Sequence, residues 1–115
     1  MASEGMESDP GPAIDLEHLG THTQGDRDLE RELLSMFLPS AQGYIDAMSA
    51  AAGSVWRTAA HSLKGVALGV GARELADLAA SAEPQRDGSS GGRDDHIVKL
   101  RAELERVRRF VADMD

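Results

Sequence analysis

His61 has the clearest potential for chemistry in this chain, because helical spacing places it away from the apolar side of its own segment. At about 100° per residue, a helix over residues 54–70 gathers its apolar side chains into one stripe. The stripe consists of Val55, Ala59, Leu63, Val66 and Val70. His61 lies roughly opposite it, so its imidazole is predicted to be exposed and available as a nucleophile.

Two neighbours suit His61 to handling an anionic group. Lys64 lies one turn further along the same face, where its ammonium can hold a phosphoryl group as a point charge. Gly65 removes a side chain beside His61, although glycine costs a helix interior about 1 kcal/mol, which indicates that a partner approaches closely there. The same basic and partly apolar face carries Arg57, Thr58 and Leu68.

The other candidate groups have simpler explanations. An isolated surface histidine is commonly just solvated, and we read His96 in that way. His18 and His22 have the spacing of a metal pair on a helix, with Asp15 nearby, but Gly20 argues against a continuous helix there, so no metal site is predicted. The last segment carries a basic cluster interspersed with acids, which favours a salt-bridged surface. The cluster consists of Arg101, Arg106, Arg108 and Arg109.

Composition narrows the class of protein. A chain of 115 residues forms one domain, too small for a substrate cleft between two lobes. Its formal charge of −8 argues against nucleic-acid binding, and the absence of cysteine suits a reducing compartment. We expect a cytoplasmic protein, because residues 1–12 lack the features of a signal peptide and no run approaches the ~20 apolar residues of a membrane span.

The N-terminal half predicts a tail and two helices. Residues 1–12 are rich in Gly, Pro and acids and are read as a disordered tail. Asp15 caps a short helix from Leu16 to Leu19 that Gly20 ends, and Asp26 opens a long one. Its apolar stripe keeps its phase through Pro39, which predicts one kinked helix. That stripe is Leu29, Leu33, Met36, Phe37, Ala41, Tyr44, Met48 and Ala51.

The C-terminal half predicts three more helices. The His61 helix ends at Gly69 and Gly71, and the next runs from Ala72 to about Glu83, before Pro84. Residues 87–92 form a flexible loop, after which Asp94 or Asp95 caps the last helix. Its apolar seam is Ile97, Leu100, Leu104, Val107, Val111 and Met114. The chain is therefore predicted to be all-α, an antiparallel four-helix bundle with a short N-terminal helix over residues 13–115.

The residues around His61 also resemble a known family. The run His61-Ser62-Leu63-Lys64-Gly65, followed by Leu68-Gly69-Val70-Gly71-Ala72, is similar to the motif of histidine-containing phosphotransfer (HPt) domains of multistep phosphorelays. The similarity extends over about residues 14–113, beginning with Ile14-Asp15-Leu16. A distinctive motif and an independently predicted helical bundle thus point to the same family.

This resemblance implies a role for each residue near the motif. His61 would accept a phosphoryl group from the aspartyl phosphate of a response-regulator receiver domain and pass it to another. Lys64 would contact the phosphoryl oxygens, Gly65 would leave room for the receiver, and Glu83 would hydrogen-bond the inner nitrogen of the imidazole. Leu68, with Arg57 and Thr58, would contact the partner.

The resemblance also implies what the chain does not do for itself. The sequence has no nucleotide-binding loop and no carboxylate cluster for Mg²⁺, so we expect a phosphocarrier without autokinase activity and without a cofactor of its own. The receiver would supply Mg²⁺. The expected partners are receiver domains and a sensor or hybrid histidine kinase, with the carrier acting as a monomer. The alternative is a helical adaptor that binds receivers or kinases without transferring phosphate.

Overall fold

The computed structural model describes residues 11–50, 53–84 and 90–114, and these residues form five α-helices and no strand. The helices are α1 (Leu16–Thr23), α2 (Arg27–Ala50), α3 (Ser54–Val70), α4 (Arg73–Ala82) and α5 (Ser90–Ala112). The predicted all-α class is confirmed for this part of the chain. Among the same residues, no helix combines the length and apolar character needed to cross a membrane.

The four longer helices enclose one core. Both α2 and α4 contact α3 and α5, so these helices form a closed ring, and α1 packs against α2 and α3. The largest fully buried side chains come from all five helices and from the segment before α1. They include Ile14, Leu19, Leu34, Ile45, Trp56, Leu63, Leu75, Leu100 and Leu104. The antiparallel direction of the helices stays a prediction.

Short polar side chains begin the first two helices, as predicted. Asp15 caps α1 by accepting a hydrogen bond from the His18 amide at 3.1 Å, and Asp26 accepts one from the Leu29 amide at 3.2 Å. Each bond satisfies a backbone donor that has no partner within its helix. Sequence alone therefore identified where these two helices start.

Gly71 ends α3 and fixes the position of α1. Its φ of 82° is left-handed, and the Ala72 amide donates to the Ala67 carbonyl at 2.8 Å, which closes the helix. The Asp15 amide donates to the Gly71 carbonyl at 2.8 Å, and a Cβ on Gly71 would lie only 2.8 Å from the Asp15 carbonyl oxygen. Only glycine suits this contact between α1 and the turn after α3.

Some apolar side chains that were predicted to be buried face solvent. Leu29 and Met36 are exposed on α2, whereas Leu34 and Ile45 occupy the core. In α3 the buried side is Trp56, Ala59, Ala60, Leu63 and Ala67, and Val55 is 51% exposed. Burying Trp56 removes more apolar area from water than burying Val55. The buried side of α3 is therefore rotated about the helix axis by about 50° from the predicted stripe.

Several helix boundaries also differ from prediction. α1 continues through Gly20 to Thr23, because the buried Thr23 hydroxyl donates to Glu30 at 2.7 Å and anchors the extra turn on α2. Gly69 lies inside α3, because the chain leaves the helical conformation only at Gly71.

The start of the last helix was predicted too late. α5 begins at Ser90, so residues 90–92 are helical and Asp94 and Asp95 are not caps. Arg93 donates to the Met48 carbonyl at 2.9 Å and so anchors this first turn. Residues 1–10 of the predicted tail over residues 1–12, residues 87–89 of the predicted loop and the predicted burial of Ala51 lie outside the described residues. At the end of the tail, the Gly11 carbonyl accepts a hydrogen bond from Arg106 at 2.8 Å.

α2 runs unbroken through Pro39, which confirms one helix where two could have been expected. The predicted kink at Pro39 stays a prediction. In α5, Leu100, Leu104 and Val107 are buried, and Ile97 and Val111 pack partly buried against the core, as does Met114 just after the helix.

Candidate functional site

α3 presents His61 to solvent. Trp56, Ala60, Leu63 and Ala67 bury the opposite side of the helix, and the His61 side chain is 69% exposed. The rotation of α3 relative to prediction did not change this outcome, because His61 is about 140° from the centre of the buried side. The imidazole is therefore accessible to a large partner.

Glu83 lies beside His61 across the α3–α4 contact. It is the C-cap of α4, and its amide donates to the Ala79 carbonyl at 3.1 Å. Its carboxylate is about one quarter exposed and brings Oε2 to 3.3 Å from His61 Nδ1. A hydrogen bond is within reach at this distance, and Nδ1–H would be its donor. Since Nδ1 faces Glu83, Nε2 is the ring nitrogen left for a reaction partner.

Two cations flank His61 along α3. Arg57 lies one turn before it and Lys64 one turn after it. Among the described residues, neither has an ion-pair or hydrogen-bond partner, whereas every other described Lys or Arg side chain makes such an interaction or is bonded to a backbone carbonyl. In a chain of net charge −8, unpaired cations on one face provide a local attraction for anions.

An open cleft of about 310 Å³ adjoins the imidazole. It is lined by Arg57, Thr58, His61 and Glu83. The cleft therefore combines an exposed imidazole, a carboxylate beside its inner nitrogen and one of the two cations that have no partner among the described residues.

Gly65 and Gly69 leave the helix surface bare next to His61. Both are exposed in α3, and a Cβ built on either would meet nothing within 4 Å. The fold of this chain therefore does not require glycine at either position. Residues 61, 65 and 69 lie on one side of the helix, so the bare strip extends from the imidazole towards the end of α3.

Leu68 extends the apolar part of this face. Its side chain is 49% exposed and borders a second cleft, of about 340 Å³. That cleft is also lined by His18, Gly71, Arg73 and Asp77. Leu68 is thus an exposed apolar side chain two turns after His61 on the same helix, and its contact with a partner stays a prediction.

The remaining histidines have other surroundings. His18 and His22 both lie on α1 with their rings edge to face at 5.2 Å, and among the described residues no group of three or more His, Asp or Glu is arranged to hold a metal ion. His96 is partly buried, with its ring 6.3 Å from that of Trp56, and is therefore not the solvated residue that was predicted. The burial of Trp56 could not be foreseen from the wrong phase assigned to α3.

The basic cluster of α5 is a salt-bridged surface, as predicted. Arg106 contacts Glu103 at 2.9 Å, Arg108 contacts Glu105 at 3.5 Å, and Arg101 reaches Asp46 on α2 at 3.1 Å. These cations are neutralised locally, so they differ from Arg57 and Lys64.

The comparisons with known proteins give one match. The family model described as Hpt domain matches residues 32–110, which is more than half of the chain. The matched stretch contains His61, Lys64, Gly65 and Glu83 and leaves out α1. No curated protein and no solved structure matches the chain.

Proposed function

This chain belongs to the Hpt domain family, and we propose that it carries phosphoryl groups in a two-component phosphorelay by forming a phosphohistidine at His61. The observation that carries the proposal is the exposed imidazole with Glu83 at 3.3 Å from Nδ1, set between two unpaired cations. An adaptor that only binds its partners has no need of this combination of groups.

The transfer step uses the two ring nitrogens differently. The Nε2 lone pair attacks the phosphorus of an aspartyl phosphate on the partner, the new N–P bond forms, and the P–O bond to the aspartate breaks to leave a free carboxylate. The proton stays on Nδ1, where Glu83 fixes the tautomer and stabilises the positive charge that develops on the ring. The reverse sequence of bond changes delivers the phosphoryl group to another aspartate.

The residues that flank His61 have separate roles in the proposed transfer. Lys64 stabilises the negative charge on the transferring oxygens, and Arg57 and Thr58 contact the partner at the edge of the cleft. Gly65 provides the space through which the partner aspartate approaches, and Leu68 adds apolar contact area. These roles are proposals that rest on the exposure and position of each side chain.

The partner class follows from the same chemistry. An acyl phosphate donor is needed because the proposed carrier supplies no nucleotide site, which fits receiver domains fed by a sensor or hybrid histidine kinase. The receiver would bring the acidic pocket and Mg²⁺, while this chain contributes no cofactor and no autokinase activity and works as a monomer.

The test is transfer from a phosphorylated receiver. The full chain is incubated with candidate receivers charged with radiolabelled phosphate in the presence of Mg²⁺, and we expect an acid-labile, base-stable phosphoprotein. His61→Gln should fold normally and remain unlabelled, while the matched variants His18→Gln and His96→Gln should label as the unaltered chain does. Labelling that persists in His61→Gln would contradict the proposal, and tight receiver binding without any labelling of the unaltered chain would favour the adaptor.

A further inference from the structure

Trp56 makes a buried contact with the segment that carries Glu83. Its side chain is fully buried on α3, five residues before His61, and its indole Nε1–H donates to the carbonyl of Ala82 at 2.8 Å. Ala82 is the last residue of α4, and Glu83 follows it directly. The bond therefore joins the helix of the nucleophile to the residue next to its carboxylate.

The Ala82 carbonyl needs a partner from outside its own helix. The last carbonyls of an α-helix have no intrahelical donor, and Ala82 is completely buried, so water cannot serve instead. The indole of Trp56 supplies a donor, and losing it would leave this buried carbonyl without that bond to the described part of the chain.

The bond also bears on the backbone of Glu83. A residue before proline favours extended conformations, yet Glu83 is helical, with φ −57° and ψ −44°. This conformation continues the direction of α4 and lets the side chain reach His61. The hydrogen bond from Trp56 to Ala82 opposes a rotation of the backbone that would carry the Glu83 carboxylate away from His61.

Two cross-helix contacts thus link the same pair of segments. One is buried, between Trp56 and Ala82, and the other is partly exposed, between His61, 69% exposed, and Glu83, 27% exposed. An exposed contact of this kind holds little geometry by itself, because its charges are screened and its side chains are free to move. The buried bond from Trp56 to Ala82 is shielded from solvent, and packing in the core restricts the movement of its indole.

We infer that Trp56 is a positioning residue for phosphotransfer: its indole N–H fixes the end of α4 so that Glu83 holds His61 in the Nδ1–H tautomer. The inference rests on the proposed roles of His61 and Glu83. Trp56 itself touches no reacting atom. Its effect passes through Glu83 and therefore disappears when Glu83 is absent.

The experiment removes the donor and keeps the ring. Trp56 is the only tryptophan of the chain, so it can be replaced by β-(3-benzothienyl)alanine, in which sulfur takes the place of N–H. Trp56→Phe is a second variant, and Val107→Ala, in the core on α5, is a control for lost stability alone. Tautomers of the neutral His61 ring are read from ¹⁵N NMR of the unphosphorylated full chain, and transfer is timed with a phosphorylated receiver.

Both Trp56 variants should lower the Nδ1–H fraction of His61 and slow transfer about fivefold, while Val107→Ala does neither. In a Glu83→Ala background the Trp56 variants should cause no further slowing. An unchanged tautomer, or equal slowing with and without Glu83, overturns the inference. If His61 proved not to be phosphorylated at all, the proposed function would fail, while the tautomer measurement would still decide whether Trp56 positions Glu83.

Discussion

The exposed faces of α3 and α5 both carry cations, but on α5 these cations are paired with carboxylates, whereas on α3 they are not paired with any described residue. On α5, each of Arg101, Arg106, Arg108 and Arg109 lies within 4 Å of a carboxylate. On α3, Arg57 and Lys64 have no partner among the described residues. Counting positive residues would have made α5 the stronger candidate for binding an anion.

The two faces differ in how much of their positive charge is available to a new anion, and not only in how many cations they carry. A paired surface cation offers little to a new anion, because its existing partner must first be displaced. Acids outnumber bases by 20 to 12 in this chain, so two cations beside an exposed histidine that have no partner among the described residues are informative. The same comparison supplies matched controls, since α2 and α5 carry a glycine, cations and an exposed apolar residue that resemble those of the His61 face.

The largest effect that distinguishes the two regions is expected from filling the space beside His61. Gly65→Gln should lower receiver binding and transfer by more than about tenfold, because its side chain occupies the path of the partner. Gly43→Gln, at an equally open position on α2, should change neither. Calorimetric titration and timed transfer measure both quantities. Normal binding by Gly65→Gln would show that the partner docks elsewhere.

Alanine at the same two positions separates function from folding. Gly65→Ala and Gly43→Ala should each stabilise the chain by about 0.5–1 kcal/mol, because both glycines lie in helix interiors with open space around them. Gly65→Ala should nevertheless slow transfer, whereas Gly43→Ala should not. Thermal unfolding together with timed transfer tests this pair, and faster transfer by Gly65→Ala would refute the access argument.

The next effect concerns the unpaired cations. Lys64→Ala should slow transfer by roughly tenfold while receiver affinity largely survives, because one charge at a rim stabilises a charged transition state more than a complex. Arg57→Ala should mainly lower the association rate and its dependence on salt. Arg101→Ala, in the salt-bridged cluster of α5, should leave transfer unaltered. Equal slowing by Arg101→Ala would mean that only the overall charge matters.

Leu68 tests the apolar part of the face. Leu68→Asp should weaken receiver binding by roughly 1–2 kcal/mol, five- to thirtyfold in Kd, with little change in Tm, because half of the side chain is already exposed. Val98→Asp, on α5 and 65% exposed, should leave Kd unchanged. A large fall in Tm for Leu68→Asp would place this side chain in the core, contrary to the structure.

Much of the fold could be predicted because its signals are local. Asp15, Asp26 and Gly71 mark helix ends through their own backbone chemistry, and the outward direction of His61 survived an error of about 50° in the phase of α3. The boundaries that were wrong depend on distant contacts. Thr23 extends α1 through its bond to Glu30, and Arg93 anchors the first turn of α5 through the Met48 carbonyl.

Some features of the candidate site could likewise be predicted from the sequence, whereas others depend on how the helices pack. The motif around His61 and its spacing to Glu83 are visible in the sequence, and the structure brings the two side chains to 3.3 Å. The bond from Trp56 to Ala82 joins residues 26 positions apart and depends on how α3 packs against α4. The unpaired state of Arg57 and Lys64 likewise appears only when the positions of all neighbouring acids are known.

The smallest effect on stability is expected at Asp46, the α2 carboxylate that pairs with Arg101 of α5. Hydrogen bonds from Gln42 and Arg101 hold the pKa of the Asp46 carboxyl below its ordinary value of 3.8, so its charge contributes stability that is fully present above that value and is lost as pH falls through the folded-state pKa. Asp46→Asn keeps an acceptor for Gln42 and removes the charge. Its Tm should be slightly lower than that of the unaltered chain at pH 7, and the difference should vanish in acid and shrink in 1 M salt, because this pair is exposed to solvent. Phosphotransfer should be unchanged at every pH where both proteins fold, since Asp46 pairs with Arg101 of α5 and does not line the clefts beside His61 and Leu68. A Tm difference that persisted below the folded-state pKa would show that Asp46 acts through packing and not through its charge.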